Sequence, residues 1–392
     1  MKRNIFFIIF LFACICSYGQ GSVEEVLREI EKNNPALKAA AAEVEAERLA
    51  GKAEALLENP EVEFNYLFGE SGIGNRHDVR VSQSFDLPTI TGMKAGKASD
   101  IGQLAALKYK AQRQAILLEA KQACIDLVYC NSLIEELTTH LEQSETLVSS
   151  YEKRLKVGDA TVLDLNKARI HRTNVQGQAN RAEVERQALL STLRALNGGV
   201  DPGCDALSYE TVESIPEDFQ TWFDEASAKS PVLEYVRKEV QLEDRQLAID
   251  KASRFPELAV GYMSEIRTAE KFRGVTVGVN IPLWSSSNKI RQSKARANAA
   301  RERRSLAEQE FYRDLHQQYL EAYSMKKNSE MMRSSLKDSD SRSFLLSALT
   351  KGEISMIDYL VETDLYYETL EQTLAAERDY RHALAKLTSF AL

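Results

Sequence analysis

Cysteine is scarce. Of five in 392 residues, Cys14 and Cys16 fall in an apolar leader, leaving Cys124, Cys130 and Cys204. An odd number of widely spaced thiols excludes a disulfide framework. Cys124 and Cys130 stand six apart and would point about 240° away from each other on a helix, as small buried residues do. Glycine (18) and proline (8) are also few, while 44% of residues are hydrophobic and 28% charged. Long helices account for that balance better than a loop-rich fold.

Positive charge is not in excess. Fifty basic residues against 58 acidic ones give a formal net charge of −8, which argues against nucleic acid as a partner. The densest basic run, from Lys289 to Arg304, has no interleaved aromatics and reads as a solvated helix face. The five histidines, His77, His140, His171, His316 and His382, are scattered without an HxxxH pair, and no P-loop or dinucleotide glycine pattern is present. No catalytic residue, cofactor site or metal site is therefore expected, and the chain is not expected to be an enzyme.

After Gln20 nothing approaches the roughly 20 consecutive apolar residues of a membrane helix. Before it, Lys2 and Arg3 precede an apolar run from Ile5 to Cys16 and the small-residue exit Ser17-Tyr18-Gly19. This pattern is that of a secretory signal peptide over 1–19, cut before Gln20. A lipoprotein reading would place lipid on Cys14, although Phe12 is bulky for that motif.

What the chain does contain is a duplication. Pro35 and Pro231 stand 196 residues apart, as do Pro60 and Pro256; Pro88 and Pro282, Gly158 and Gly352, and Asp164 and Asp358 stand 194 apart. Landmarks that keep their order and spacing to within two residues define a tandem repeat. The first copy is placed at 20–198, an irregular linker at 199–221, and the second copy at 222–392.

Each copy changes hydrophobic period in the same order. An opening helical segment, 22–58 or 222–254, stops at a proline. The period then becomes two. Val62, Phe64, Tyr66 and Phe68, then Val79, Val81, Phe85 and Leu87, form one hairpin around Gly69, Gly72 and Gly74; Leu258, Val260 and Tyr262, then Val275, Val277, Val279 and Ile281, form another. A long helix follows from about 91 to 156, some 65 residues or roughly 100 Å of rod. It breaks at Val157-Gly158-Asp159 and a second helix runs to 197. The second copy repeats this over 288–350, a break at Lys351-Gly352-Glu353, and a last helix to about 390. Such lengths imply lateral packing in coiled-coil fashion.

Four strands of about 9 to 12 residues suit a tilted membrane crossing but cannot close alone, because an open edge in lipid leaves backbone groups unpaired. Three chains would supply 12 strands. The expected fold class is thus an α+β membrane protein: a long α-helical coiled-coil barrel plus four β-strands per chain in a trimeric 12-stranded outer-membrane β-barrel. A periplasmic coiled-coil adaptor is the alternative, since it too uses long hairpin helices.

The duplicated order, with "VGDATVLDLNKA" (157–168) and "KGEISMIDYLVE" (351–362) at the two breaks, resembles the TolC family of outer-membrane efflux proteins. The overall length and the opening "NNPALKAAAAEVEAE" look most like its CzcC/CusC heavy-metal branch. The resemblance implies a homotrimer in outer-membrane lipid, extending into the periplasm, that docks with a periplasmic adaptor (membrane fusion) protein and an inner-membrane RND-type pump to export metal ions or small toxic compounds. It makes Gly158, Asp159, Thr161, Gly352, Glu353 and Ser355 the adaptor-docking tip. It also implies a periplasmic gate. Asp358 takes the first inward acidic position, Val361 stands where a second would be, and Asp164 matches a carboxylate that ties the tip closed. A helix-end charge favouring the dipole is the plain alternative for either aspartate.

Overall fold

The computed structural model describes residues 22–70, 74–204, 209, 215–267, 270–282, 286–338 and 342–392. The leader with Cys14, the turn residue Gly72 and residues 205–208 and 210–214 of the expected linker lie outside them. In order, the elements are α1 (Val23–Asn33), α2 (Pro35–Glu54), β1 (Glu61–Leu67), β2 (Arg76–Phe85), α3 (Pro88–Lys156), α4 (Val162–Leu196), α5 (Phe219–Lys229), α6 (Pro231–Ala252), β3 (Glu257–Arg267), β4 (Lys271–Asn280), α7 (Ser286–Asp338), α8 (Arg342–Lys351) and α9 (Met356–Leu387), with a short 3₁₀ turn at Ser389–Ala391. Helix, hairpin, long helix and returning helix occur twice, as the repeat requires. Among the described residues no helix is long and apolar enough to cross a membrane.

Three boundaries differ from expectation. Each opening segment is two helices and not one, because Pro35 and Pro231 start new helices at the first helical position, where a missing N–H costs nothing. Asn34 accepts from the Leu37 N–H at 3.0 Å and Ser230 from that of Leu233 at 3.4 Å, so both junctions are capped alike. The second copy's helix starts at Phe219 and not 222, because Asp218 caps it through the Gln220 and Thr221 N–H groups. Finally, β1 spans only 7 residues, and Phe68, 84% exposed, lies beyond it.

The described chain forms two compact units, each drawing on both copies. One comprises 34–119, 214–331 and 379–392 and carries the sheet. Its four strands run β1-β2-β3-β4, all antiparallel, so the two hairpins join through β2 and β3. Register places Val62, Val81, Tyr262 and Val275 in one row, and Phe85, Leu258 and Val279 in another on the same face. These side chains are exposed, Val275 to 75%. The opposite face is polar: Arg76 pairs with Asp78 at 3.0 Å and Glu265 at 3.2 Å, and Arg80 with Glu63 at 3.3 Å. An apolar face left uncovered opposite an ion-paired one is the reverse of a water-soluble sheet packed on a core. The same unit has a helical core in which Ile215, Ala226, Leu315, Ala322, Leu384 and Leu387 are buried, with Phe219, Trp222 and Phe223 packed against it.

The other unit comprises 22–33, 120–213 and 332–378 among the described residues. Its cores are helical. Tyr129, Cys130, Leu133, Leu137 and Ala182 form one cluster. Cys124 and Cys130 are buried, as their spacing suggested, and Cys204 is buried as well.

Candidate functional site

Both glycine turns lie in this second unit, and each is built by the same local chemistry. Gly158 has φ +79° and Gly352 φ +77°, a left-handed conformation that a Cβ disfavours. The Gly158 N–H donates to the Leu155 carbonyl at 3.1 Å and the Asp159 N–H to Arg154 at 2.8 Å; Gly352 to Leu349 and Glu353 to Ala348 repeat both distances. This is the Schellman arrangement, which satisfies carbonyls orphaned at a helix end.

The next helices start with matching capping boxes. The Thr161 hydroxyl accepts from the Asp164 N–H at 3.1 Å while an Asp164 carboxylate oxygen accepts from the Thr161 N–H at 3.1 Å and its hydroxyl at 2.7 Å. Ser355 and Asp358 do the same at 3.2, 3.2 and 2.6 Å. The Thr161 hydroxyl and N–H hold the Asp164 carboxyl below its ordinary range. The aspartates singled out as gate candidates therefore both serve as caps. In this chain their carboxylates are committed to their own helix starts.

The two turns share one core. Leu147, Tyr151, Leu165 and Ala168 of the first copy are buried with Leu349, Met356 and Tyr359 of the second. Burial pushes the phenols of Tyr151 and Tyr359 upward. Around this core Val157, Val162, Leu163, Ile357 and Val361 stay exposed, Val361 to 58%. Thus all nine candidate positions fall at or beside two turns that the fold brings together, with an apolar surface around them.

A different cluster was missed. The histidines are not all scattered: His140 Nε2 lies 3.2 Å from His171 Nε2, and His171 Nδ1 lies 3.4 Å from an Asp364 carboxylate oxygen. The signal was available in the register of the α3–α4 hairpin. Leu147 with Leu165, and Cys130 with Ala182, share core clusters and are each centred on residue 156. His140 and His171 are centred on almost the same point.

A duplicated helix–hairpin–long-helix chain with a four-stranded sheet of this register has the fold of the TolC-type outer-membrane channels. No protein-family model matches the sequence, and no curated relative does. Among solved structures, a membrane protein from Pseudomonas aeruginosa superposes with TM-score 0.80 at 13% identity, covering 94% of this chain and 89% of that one. The CmeC outer membrane channel of Campylobacter jejuni gives 0.77 at 14%, covering 94% and 85%. CusC, described in relation to folding and transmembrane channel formation, gives 0.73 at 14%, covering 94% and 91%. At such identities the likeness establishes the fold, and it does not favour CusC over the others.

Proposed function

We propose that this chain is the outer-membrane channel subunit of a tripartite efflux pump of the TolC type. Three copies close a 12-stranded barrel, and the two glycine turns of each copy form the periplasmic tip. The observation that carries this reading is the sheet. Its exposed apolar rows suit lipid, its ion-paired face suits a water-filled lumen, and β1 and β4 each pair with one described neighbour only. An open edge is tolerated in lipid only when another strand pairs with it. Adjacent copies would supply those strands.

The partners follow from that reading. A periplasmic adaptor would dock on the exposed Val157, Val162 and Leu163 beside Gly158, and an inner-membrane RND-type pump would choose the cargo, metal ions or small toxic compounds. The gate role of Asp358 and Asp164 is compatible with capping, because a cap engages one carboxylate oxygen and leaves the charge in place. Fractionation of expressing cells tests the reading. The protein should stay with the outer membrane after alkaline and high-salt washing. Release with the soluble periplasmic fraction would favour the adaptor alternative.

A further inference from the structure

The His140, His171 and Asp364 cluster lies wholly within one compact unit and on three helices, α3, α4 and α9. One donor atom from each residue lies within 4.8 Å of the others. The two Nε2 atoms face each other at 3.2 Å. Two imidazole nitrogens bound at about 2.0–2.1 Å to one tetrahedral ion would stand about 3.3 Å apart, so the rings already have a chelating separation. Asp364 meets the far nitrogen of His171, an arrangement that fixes the tautomer and turns the lone pair of Nε2 toward His140.

His140 is 2% exposed and its ring stacks on Tyr367 with centroids 3.6 Å apart. Its Nδ1 has no hydrogen-bond partner among the described residues, so in the metal-free protein the proton sits on Nε2 and is donated to His171 Nε2. A cation entering the gap would displace that proton to Nδ1 and meet two Nε2 lone pairs. Burial pushes the His140 imidazole down to about 3 and lowers that of His171, against the pull of Asp364. Beside the cluster is a cavity of about 260 Å³ to which Gln178 and Glu368 contribute, giving water access to the remaining coordination positions.

We propose that His140 and His171 form a two-imidazole site for a borderline divalent cation of the Zn²⁺, Cu²⁺ or Ni²⁺ class, with Asp364 positioning His171. Nitrogen donors favour these ions over Mg²⁺ and Ca²⁺, which take oxygen. Bound metal would pin α3 to α4 inside the helical hairpin. The proposal does not rest on the channel reading, because it concerns side chains of a single chain.

The test uses the full chain without a polyhistidine tag, stripped with chelator and titrated with ZnCl₂ by calorimetry and with Co²⁺ by visible absorption. One ion per chain should bind, the Co²⁺ complex should show ligand-field bands of a low-symmetry site, and Zn²⁺ should raise the thermal midpoint. His140→Phe keeps the stack on Tyr367 and should abolish all three signals. Asp364→Asn, at an exposed side chain, should leave far-UV circular dichroism unchanged and weaken binding about 10- to 100-fold. No stoichiometric binding, or binding unaltered in both His140→Phe and His171→Gln, would overturn the site and leave an ordinary hydrogen bond between two buried rings.

Discussion

The two glycine turns have nearly the same backbone and different side chains. Their φ angles differ by two degrees, their Schellman distances coincide and their capping boxes agree to 0.1 Å. Around that shared frame the copies diverge. Arg154 pairs with Asp159 at 2.9 Å in the first, whereas the residue 194 further on is Ala348. Lys167 corresponds to Val361, His171 to Leu365, and Ile170 to Asp364. Backbone hydrogen bonds at a helix reversal have few solutions, so the residues that direct them are the same or close in both copies. Side chains facing solvent or a neighbouring helix are free to differ, and whatever is specific to this protein lies in those differences.

The largest effect should come from the sheet, where the copies are expected to behave alike. Val81→Arg and Val275→Arg, on one apolar row, should each cost about 2–4 kcal/mol if that row faces the bilayer interior, read as urea stability of the folded protein in lipid. Tolerance of Arg at both would place the face in water. Next, Gly158→Ala and Gly352→Ala should each cost about 1–2 kcal/mol, because of the left-handed conformation: among the described residues an added Cβ at either glycine meets nothing within 4 Å. Bulky residues at both turns should abolish efflux in cells while outer-membrane yield stays near normal. Lost yield would reduce the turns to structural elements.

Smaller effects separate the capping boxes from the gate. Thr161→Ala and Ser355→Ala should each cost about 1 kcal/mol and match each other, measured by thermal unfolding. Asp164 has a folded-state pKa below its unfolded value, so its contribution is present at neutral pH and is lost as pH falls through the depressed value. Asp164→Asn should therefore lower stability at neutral pH and flatten its fall in the acid limb, between the ordinary carboxylate range and the depressed value. The smallest structural change, Asp358→Asn, should lower cation selectivity and multivalent-cation block in planar-bilayer conductance if the three copies line a constriction. Unchanged conductance would leave Asp358 as a cap alone, and a constriction would then be built from apolar residues near Val361.

The duplication and the alternation of helix and strand periods were legible because each recurs at a fixed offset: two weak signals at one spacing reinforce each other. The breaks at Pro35 and Pro231 were harder, since proline is acceptable at a first helical position and the flanking apolar period barely changes. The length of β1 depended on pairing, which ends at Leu67 with Arg76, and pairing is not visible in one strand. The His140–His171 contact arises from hairpin register across 31 residues. No motif spacing encodes it, although the matching positions of Leu147 and Leu165 fix the same register.

Mass measurement of the detergent-solubilised chain, by light scattering or native mass spectrometry, tests the central claim most directly. Four strands with two edges to be closed predict a complex of three chains with no stable smaller form. A well-folded monomer or dimer that keeps its β structure would contradict the shared barrel and the channel built on it.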